Sequence, residues 1–217
     1  MCIARLLLAV VTAALVVAPG ASAASLVTET GCYQEGADVV TTGTGFVASG
    51  FVTVSLDGRN LGIASSSPEG IFRTKFDAPA LPAGKREQVH DLVATDATNT
   101  AITRFRATQV FAGFSPGAGN LGTLRVRFRV NGFGLYESGA RVYVHYVRPN
   151  GKARRTVYLG KARGTCGHIR RTRKRLLFPF LAQRGVWTLQ FDTRKVYGRA
   201  TAQSRFAWVR RPVKVGR

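Results

Sequence analysis

The sequence predicts an all-β protein of two domains in tandem behind an N-terminal export segment. Three observations predict it. Short runs that alternate apolar and polar residues recur at fairly even spacing, divided by Gly, Pro and Asp-Gly turns. No stretch sustains a helical period. The 217 residues suit one or two domains of ordinary size. Together these indicate a sandwich or a barrel. Thirteen Phe, six Tyr and two Trp supply a core despite a formal net charge of +21.

Residues 1–23 read as a secretory signal peptide. Arg5 forms a short basic region, residues 6–18 an apolar region, and Ala21-Ser22-Ala23 a small-residue cleavage site before Ala24. The apolar run is shorter than the roughly 20 residues that span a bilayer. Cleavage removes Cys2 and leaves Cys32 and Cys166. In an exported protein two thiols are one candidate disulfide, although two buried unpaired thiols are the alternative. A bridge over so long a loop contributes about 4–5 kcal/mol in the chain-entropy model.

Residues 24–108 form the first expected domain. Strands are expected at 38–42, 51–56, 61–64, 70–76, 88–96 and 100–106. Asp57-Gly58 is a strong hairpin signal, because both residues tolerate positive φ. Residues 78–84, with Pro79 and Pro82, form a connector.

The order of short motifs carries a resemblance. Gly43-Thr44-Gly45-Phe46 is followed by VTVSLDG at 52–58, Leu61-Gly62, GIFRTKF at 70–76, PALPAG at 79–84 and VATD at 93–96. This resembles the immunoglobulin-like repeats of bacterial secreted and surface proteins, over most of residues 38–106. The resemblance implies an immunoglobulin-like β-sandwich for this domain, and residues 109–217 are expected to form a diverged second one, giving two tandem immunoglobulin-like β-sandwich domains. It implies spacer, adhesion or ligand-binding roles and brings no catalytic residues with it.

Residues 109–217 form the second expected domain. Gly113-Phe114-Ser115-Pro116-Gly117, with the strand after it, loosely echoes Gly45-Phe46 and its following strand. Strands are expected at 123–130, 141–147, 153–159, 176–180, 185–193 and 204–210. Trp187 is expected to point into the core. At the 141–159 hairpin two preferences conflict. Pro149-Asn150-Gly151 suits a type I turn with a left-handed Gly bulge. A two-residue Asn150-Gly151 turn would instead pair Val144 with Val157 and Val142 with Leu159, giving one apolar face.

Charge separates the halves. Acids and bases nearly balance up to residue 108, whereas beyond it the only acids are Glu137 and Asp192. Alternation places Leu124, Val126, Phe128 and Val130 inward, leaving Arg125, Arg127 and Arg129 as an exposed row. Arg154 and Arg155, and the cluster Arg170, Arg171, Arg173, Lys174 and Arg175, extend the cationic surface. An unscreened excess of this size opposes compaction unless anions answer it. These ten residues are the expected anion-binding set.

Motifs for chemistry fail on inspection. Residues 113–117 match G-x-S-x-G, but Pro116 has no N–H for an oxyanion hole. Gly43-x-Gly45-x-x-Ala48 precedes a strand rather than the helix a dinucleotide needs. Cys166-Gly167-His168 is a lone pair without further zinc ligands. His90 and His145 read as packed or surface residues. The expectation is therefore a secreted, non-enzymatic binding or structural protein that uses no cofactor or metal. Its expected partner is an anionic polymer, whether wall polymer, acidic polysaccharide or anionic lipid surface. The alternatives are an acidic protein partner in adhesion or assembly, and extracellular nucleic acid with Tyr143, Tyr146 and Tyr158 stacking bases.

Overall fold

A computed structural model describes residues 23–135, 137–198 and 209–216; residues 1–22 of the expected signal peptide lie outside the described residues. The described chain is all-β and folds as two sandwiches. The first contains β1 (Ser25–Thr28), β2 (Cys32–Gln34), β3 (Asp38–Thr44), β4 (Phe51–Leu56), β5 (Arg59–Ser65), β6 (Phe72–Asp77), β7 (Glu87–Thr95) and β8 (Thr100–Thr108). The second contains β9 (Phe111–Ser115), β10 (Arg125–Asn131), β11 (Arg141–Val147), β12 (Ala153–Lys161), β13 (Arg175–Leu176), β14 (Gly185–Asp192) and β15 (Val209–Val215).

The sheet orders are β1-β3-β6 facing β2-β8-β7-β4-β5, then β9-β10-β13 facing β12-β11-β14-β15. The second pair repeats the first strand for strand, with β2 alone lacking a counterpart. Both are immunoglobulin-like arrangements. Alternation produces each core. In β4, Val52, Val54 and Leu56 are buried and alternate with exposed Phe51 and Thr53 and half-buried Ser55, and they pack with Val39, Leu92 and Phe105. In the second sandwich Val126, Phe128, Val142, Val144, Leu189 and Phe191 surround Trp187. As expected, Trp187 is core, and its indole N–H donates to the Gln183 carbonyl at 2.8 Å.

The β11–β12 hairpin takes the first of the two turns and recovers part of the register of the second. The Gly151 N–H donates to the Arg148 carbonyl at 2.9 Å, and Gly151 has φ +80°. That is the type I turn with a left-handed glycine. Val147 therefore pairs with Ala153, yet Tyr146 pairs with Arg155 and Val144 with Val157. Arg154 is the extra residue of a bulge that restores the apolar register. A second shift at Leu159 pairs Val142 with Gly160 rather than with Leu159.

Two strand expectations are corrected. Only Arg175 and Leu176 form a strand in the 176–180 region; Leu177 and Phe178 leave the ladder to fill the core, and Pro179 has no N–H to continue it. The last strand is Val209–Val215, and residues 204–208 of the expected 204–210 strand lie outside the described residues.

The sandwiches are fastened together. Cys32 of β2 is bonded to Cys166, with Cα atoms 5.3 Å apart. The Asn131 amide nitrogen lies 2.9 Å from the Arg86 carbonyl, 2.6 Å from Thr108 Oγ1 and 3.2 Å from the Gln109 carbonyl. Beside the disulfide, Gly167 (φ +70°) lies so close to Gly134 that a Cβ there would overlap the Gly134 backbone.

Candidate functional site: a cationic face on the second sandwich

β10 alternates as its sequence dictates. Val126, Phe128 and Val130 are buried, Arg125 and Arg129 are exposed, and Arg127 is half-buried. Residues 169–177 run antiparallel beside it. Val130 and Ile169 exchange both backbone hydrogen bonds at 3.0 Å, the Thr172 N–H donates to the Phe128 carbonyl at 3.0 Å, and the Leu177 N–H to Leu124 at 2.8 Å. Thr172 is buried, and its hydroxyl accepts the Phe128 N–H at 2.9 Å where a backbone carbonyl would otherwise stand. This irregular edge lets Ile169 and Leu177 face inward while Arg170, Arg171, Arg173 and Lys174 remain exposed. Arg127 joins row and cluster by donating from Nη1 to the Thr172 carbonyl at 3.3 Å.

Seven of the ten expected residues thus flank one line of backbone pairing: Arg125, Arg127, Arg129, Arg170, Arg171, Arg173 and Lys174. The side chains of the other three make contacts away from that line. Arg175 donates to the Tyr158 carbonyl at 3.2 Å, Arg155 donates to the Pro179 carbonyl at 3.1 Å, and Arg154 lies over the Phe180 ring at 5.9 Å. They tie residues 175–180 to the edge strand β12.

Among the described residues none of the seven pairs with a carboxylate. The Arg and Lys ion pairs Arg73–Glu29, Lys75–Asp38, Arg104–Asp91 and Arg106–Glu87 all belong to the first sandwich. Alternate residues on a strand stand about 7 Å apart, where like charges repel by about 0.6 kcal/mol in water and about 2 kcal/mol at the effective dielectric of a protein surface.

Further cations belong to recesses that the sequence analysis did not assemble. Arg86 and Arg211 gather with Arg129 round Phe111, and Arg211 also donates from Nε to the Ala112 carbonyl at 2.7 Å. Arg141 and Lys161 stand directly opposite each other and line a recess of about 610 Å³ with Tyr143, Lys195 and Glu137. Their pairing follows from the shift at Leu159, which the alternation pattern does not announce.

The remaining candidates fall differently. Tyr146 is fully buried and Tyr143 nearly so, which removes both from base stacking; Tyr158 is exposed. Burial pushes the Tyr146 phenol above its ordinary pKa, and the nearby Arg175 and Arg155 charges only partly oppose this. His145 is fully buried, with Nδ1 2.7 Å from Thr156 Oγ1 and Nε2 3.0 Å from Asp192 Oδ1. Gln190 donates to the other Asp192 oxygen at 2.9 Å, closing a polar row beneath Tyr197. His90 is buried against Asp57 at 2.6 Å rather than its neighbour Asp91. Burial works to raise the Asp57 carboxyl, but hydrogen bonds from His90 and the Asp91 N–H hold it below the ordinary value. Cys166 is committed to the disulfide and offers no thiolate to a metal.

No family model matches the sequence. No curated protein matches it either. Among solved structures the chain is similar to Escherichia coli alpha-2-macroglobulin activated by porcine elastase, at 13% identity and TM-score 0.30, covering 89% of this chain and 20% of that one. It is similar to Salmonella alpha-2-macroglobulin reacted with methylamine, at 14% identity and TM-score 0.30, over 89% and 15%. Bovine butyrophilin is similar at 10% identity and TM-score 0.31, over 90% of this chain and 100% of that chain. The chain thus spans a fifth or less of the macroglobulins. The sandwich assignment rests on the strand orders and registers above.

Proposed function

We propose that this is a secreted, non-enzymatic protein whose second sandwich docks on an anionic polymer of the cell surface or wall. One observation carries the reading: seven cations of β10 and residues 169–177 flank one line of backbone pairing, and among the described residues no carboxylate answers them. The regular spacing of Arg125, Arg127 and Arg129 suits a ligand with repeated charges. Guanidinium forks add direction, since each can hold two oxygens of a phosphate or carboxylate. The test is binding of the full mature chain to a polyanion panel, compared with an Arg171→Ala, Arg173→Ala, Lys174→Ala variant. Equal binding by both proteins overturns the assignment.

A second reading, docking on another protein, draws on the first sandwich. Phe51, Ile63 and Ile102 are 75%, 70% and 64% exposed, and they share the outer face of the five-stranded sheet. Loss of partner binding in an Ile63→Ser, Ile102→Ser variant that still binds polyanions would favour it.

A further inference from the structure

We propose that the recess where the two sandwiches meet is a defined phosphoryl-binding site held by Arg86, Arg129 and Arg170. This deepens the anionic-polymer reading, because it names the group recognised and gives the first sandwich a share in the binding.

The recess measures about 550 Å³ and is lined by these three arginines with Phe111, Asn131 and Glu87. The Phe111 ring is part of its wall. The guanidinium carbons of Arg86, Arg211 and Arg129 stand 4.1, 5.0 and 5.7 Å from the centroid of that ring. Charges gathered round one ring repel one another within about a Debye length, roughly 8 Å at physiological ionic strength. The ring face attracts each cation only weakly and neutralises none of them. The single carboxylate of the lining, Glu87, is already 2.7 Å from Arg106. Positive charge is therefore concentrated with no further carboxylate answering it among the described residues of the lining.

The donors are free to act. Arg86 and Arg129 are exposed, as is Arg170. Arg86 spends an Nη1 hydrogen on the Gln109 side chain, and a guanidinium has five hydrogens to donate. The Arg129 guanidinium has the Phe111 ring beside it and no side-chain hydrogen bond among the described residues. The three arrive from separate segments: Arg86 from the entry to β7, Arg129 from β10 and Arg170 from the strand-like edge after Cys166. A planar carboxylate offers two oxygens, which one arginine fork already occupies. A phosphoryl group offers oxygens in three directions, one for each arginine.

The recess is held open before a ligand arrives. The Cys32–Cys166 bond, the Asn131 amide contacts to Arg86, Thr108 and Gln109, and the close approach of Gly167 to Gly134 fix the segments that carry the arginines. Preorganised donors lose little entropy on binding.

The test is calorimetric titration of the full, disulfide-intact mature chain at low salt with inorganic phosphate, glycerol 3-phosphate and acetate. Saturable binding of both phosphates but not acetate is expected. Arg86→Gln and Arg129→Gln should each weaken phosphate binding about tenfold, the loss of one charged hydrogen bond. Arg59→Gln, on the far edge of the first sandwich, should bind like the parent. Arg86 is exposed, so its variant keeps the test open if Arg129→Gln melts early. Parent-like phosphate binding by Arg86→Gln, or equal binding of acetate, overturns the proposal. The two readings fail separately. A recess without saturable phosphate binding leaves the polymer's salt dependence in place. Loss of polymer binding in the Arg171, Arg173, Lys174 variant leaves phosphate in the recess.

Discussion

Cys32 and Cys166, 134 residues apart in sequence, are joined by a disulfide that fastens β2 of the first sandwich to the loop preceding the cationic edge of the second. In the chain-entropy model, closing a loop of that length contributes about 5 kcal/mol. Strain and residual structure usually reduce such a figure. The double variant Cys32→Ser, Cys166→Ser should therefore lose several kcal/mol in denaturant unfolding. Alkylation of the unreduced chain from Ala24 should add nothing, and alkylation after reduction should label both cysteines. Labelling before reduction would contradict the bond.

Gly151 carries the hairpin turn at φ +80°. A side chain there enters the left-handed region, at about 1–2 kcal/mol. Gly151→Ala should destabilise by that amount. Asn150→Ala should cost less, because only the 3.1 Å hydrogen bond from the Lys152 N–H to its side chain is lost. Equal effects from the two would show that the turn is not the one described.

Tyr146 packs against Phe178 and Phe180, and its hydroxyl is buried with no hydrogen-bond partner among the described residues. Tyr146→Phe keeps the packing and removes an unanswered polar atom. The variant should be as stable as the parent or more stable by about 1 kcal/mol. A clear loss of stability would reveal a partner for the hydroxyl.

Asp96 clasps the loop between β7 and β8 to the loop before β4. It accepts the Val47 N–H at 2.6 Å, the Thr98 N–H at 2.8 Å and the Asn99 N–H at 2.6 Å. Burial works to raise its carboxyl, but the three backbone donors and the Asn99 side chain outweigh it and hold the pKa well below 3.8. A depressed folded-state pKa stabilises the fold above the unfolded value. That contribution disappears as pH falls through the folded value. The stability gap between the parent and Asp96→Asn should be constant above about pH 4, near the ordinary carboxylate pKa. Below that it should narrow. A gap that stays constant down to pH 2 would contradict the clasp.

Much of the architecture was legible because period-two alternation and turn chemistry agree locally. Asp57 and Gly58, with φ of +50° and +80°, form the expected two-residue turn, and Leu56 pairs with Arg59 across it. Strands β1, β2 and β9 escaped notice because three to five residues are too short to show a period. The hairpin conflict was visible, but its resolution was not. A bulge residue such as Arg154 looks like any other exposed arginine, and it exists only to reconcile two registers. The inward and outward sides of β10 were readable. The placement of residues 169–177 beside it was not, since Thr172 stands in for a backbone acceptor and masks the strand pattern. The convergence of Arg86 with Arg129 depends on how two separately coded sandwiches meet, which local pattern does not specify.

The most direct test of the central claim is the salt dependence of polyanion binding by the chain from Ala24. It should be compared with a variant carrying Arg170→Ala, Arg171→Ala, Arg173→Ala and Lys174→Ala. If these residues contact the polymer, the logarithm of the parent's binding constant falls steeply and linearly with the logarithm of salt concentration. The slope flattens in the variant while its melting temperature stays near that of the parent. A shallow slope shared by both proteins would contradict the claim and leave the cationic face as solvated surface.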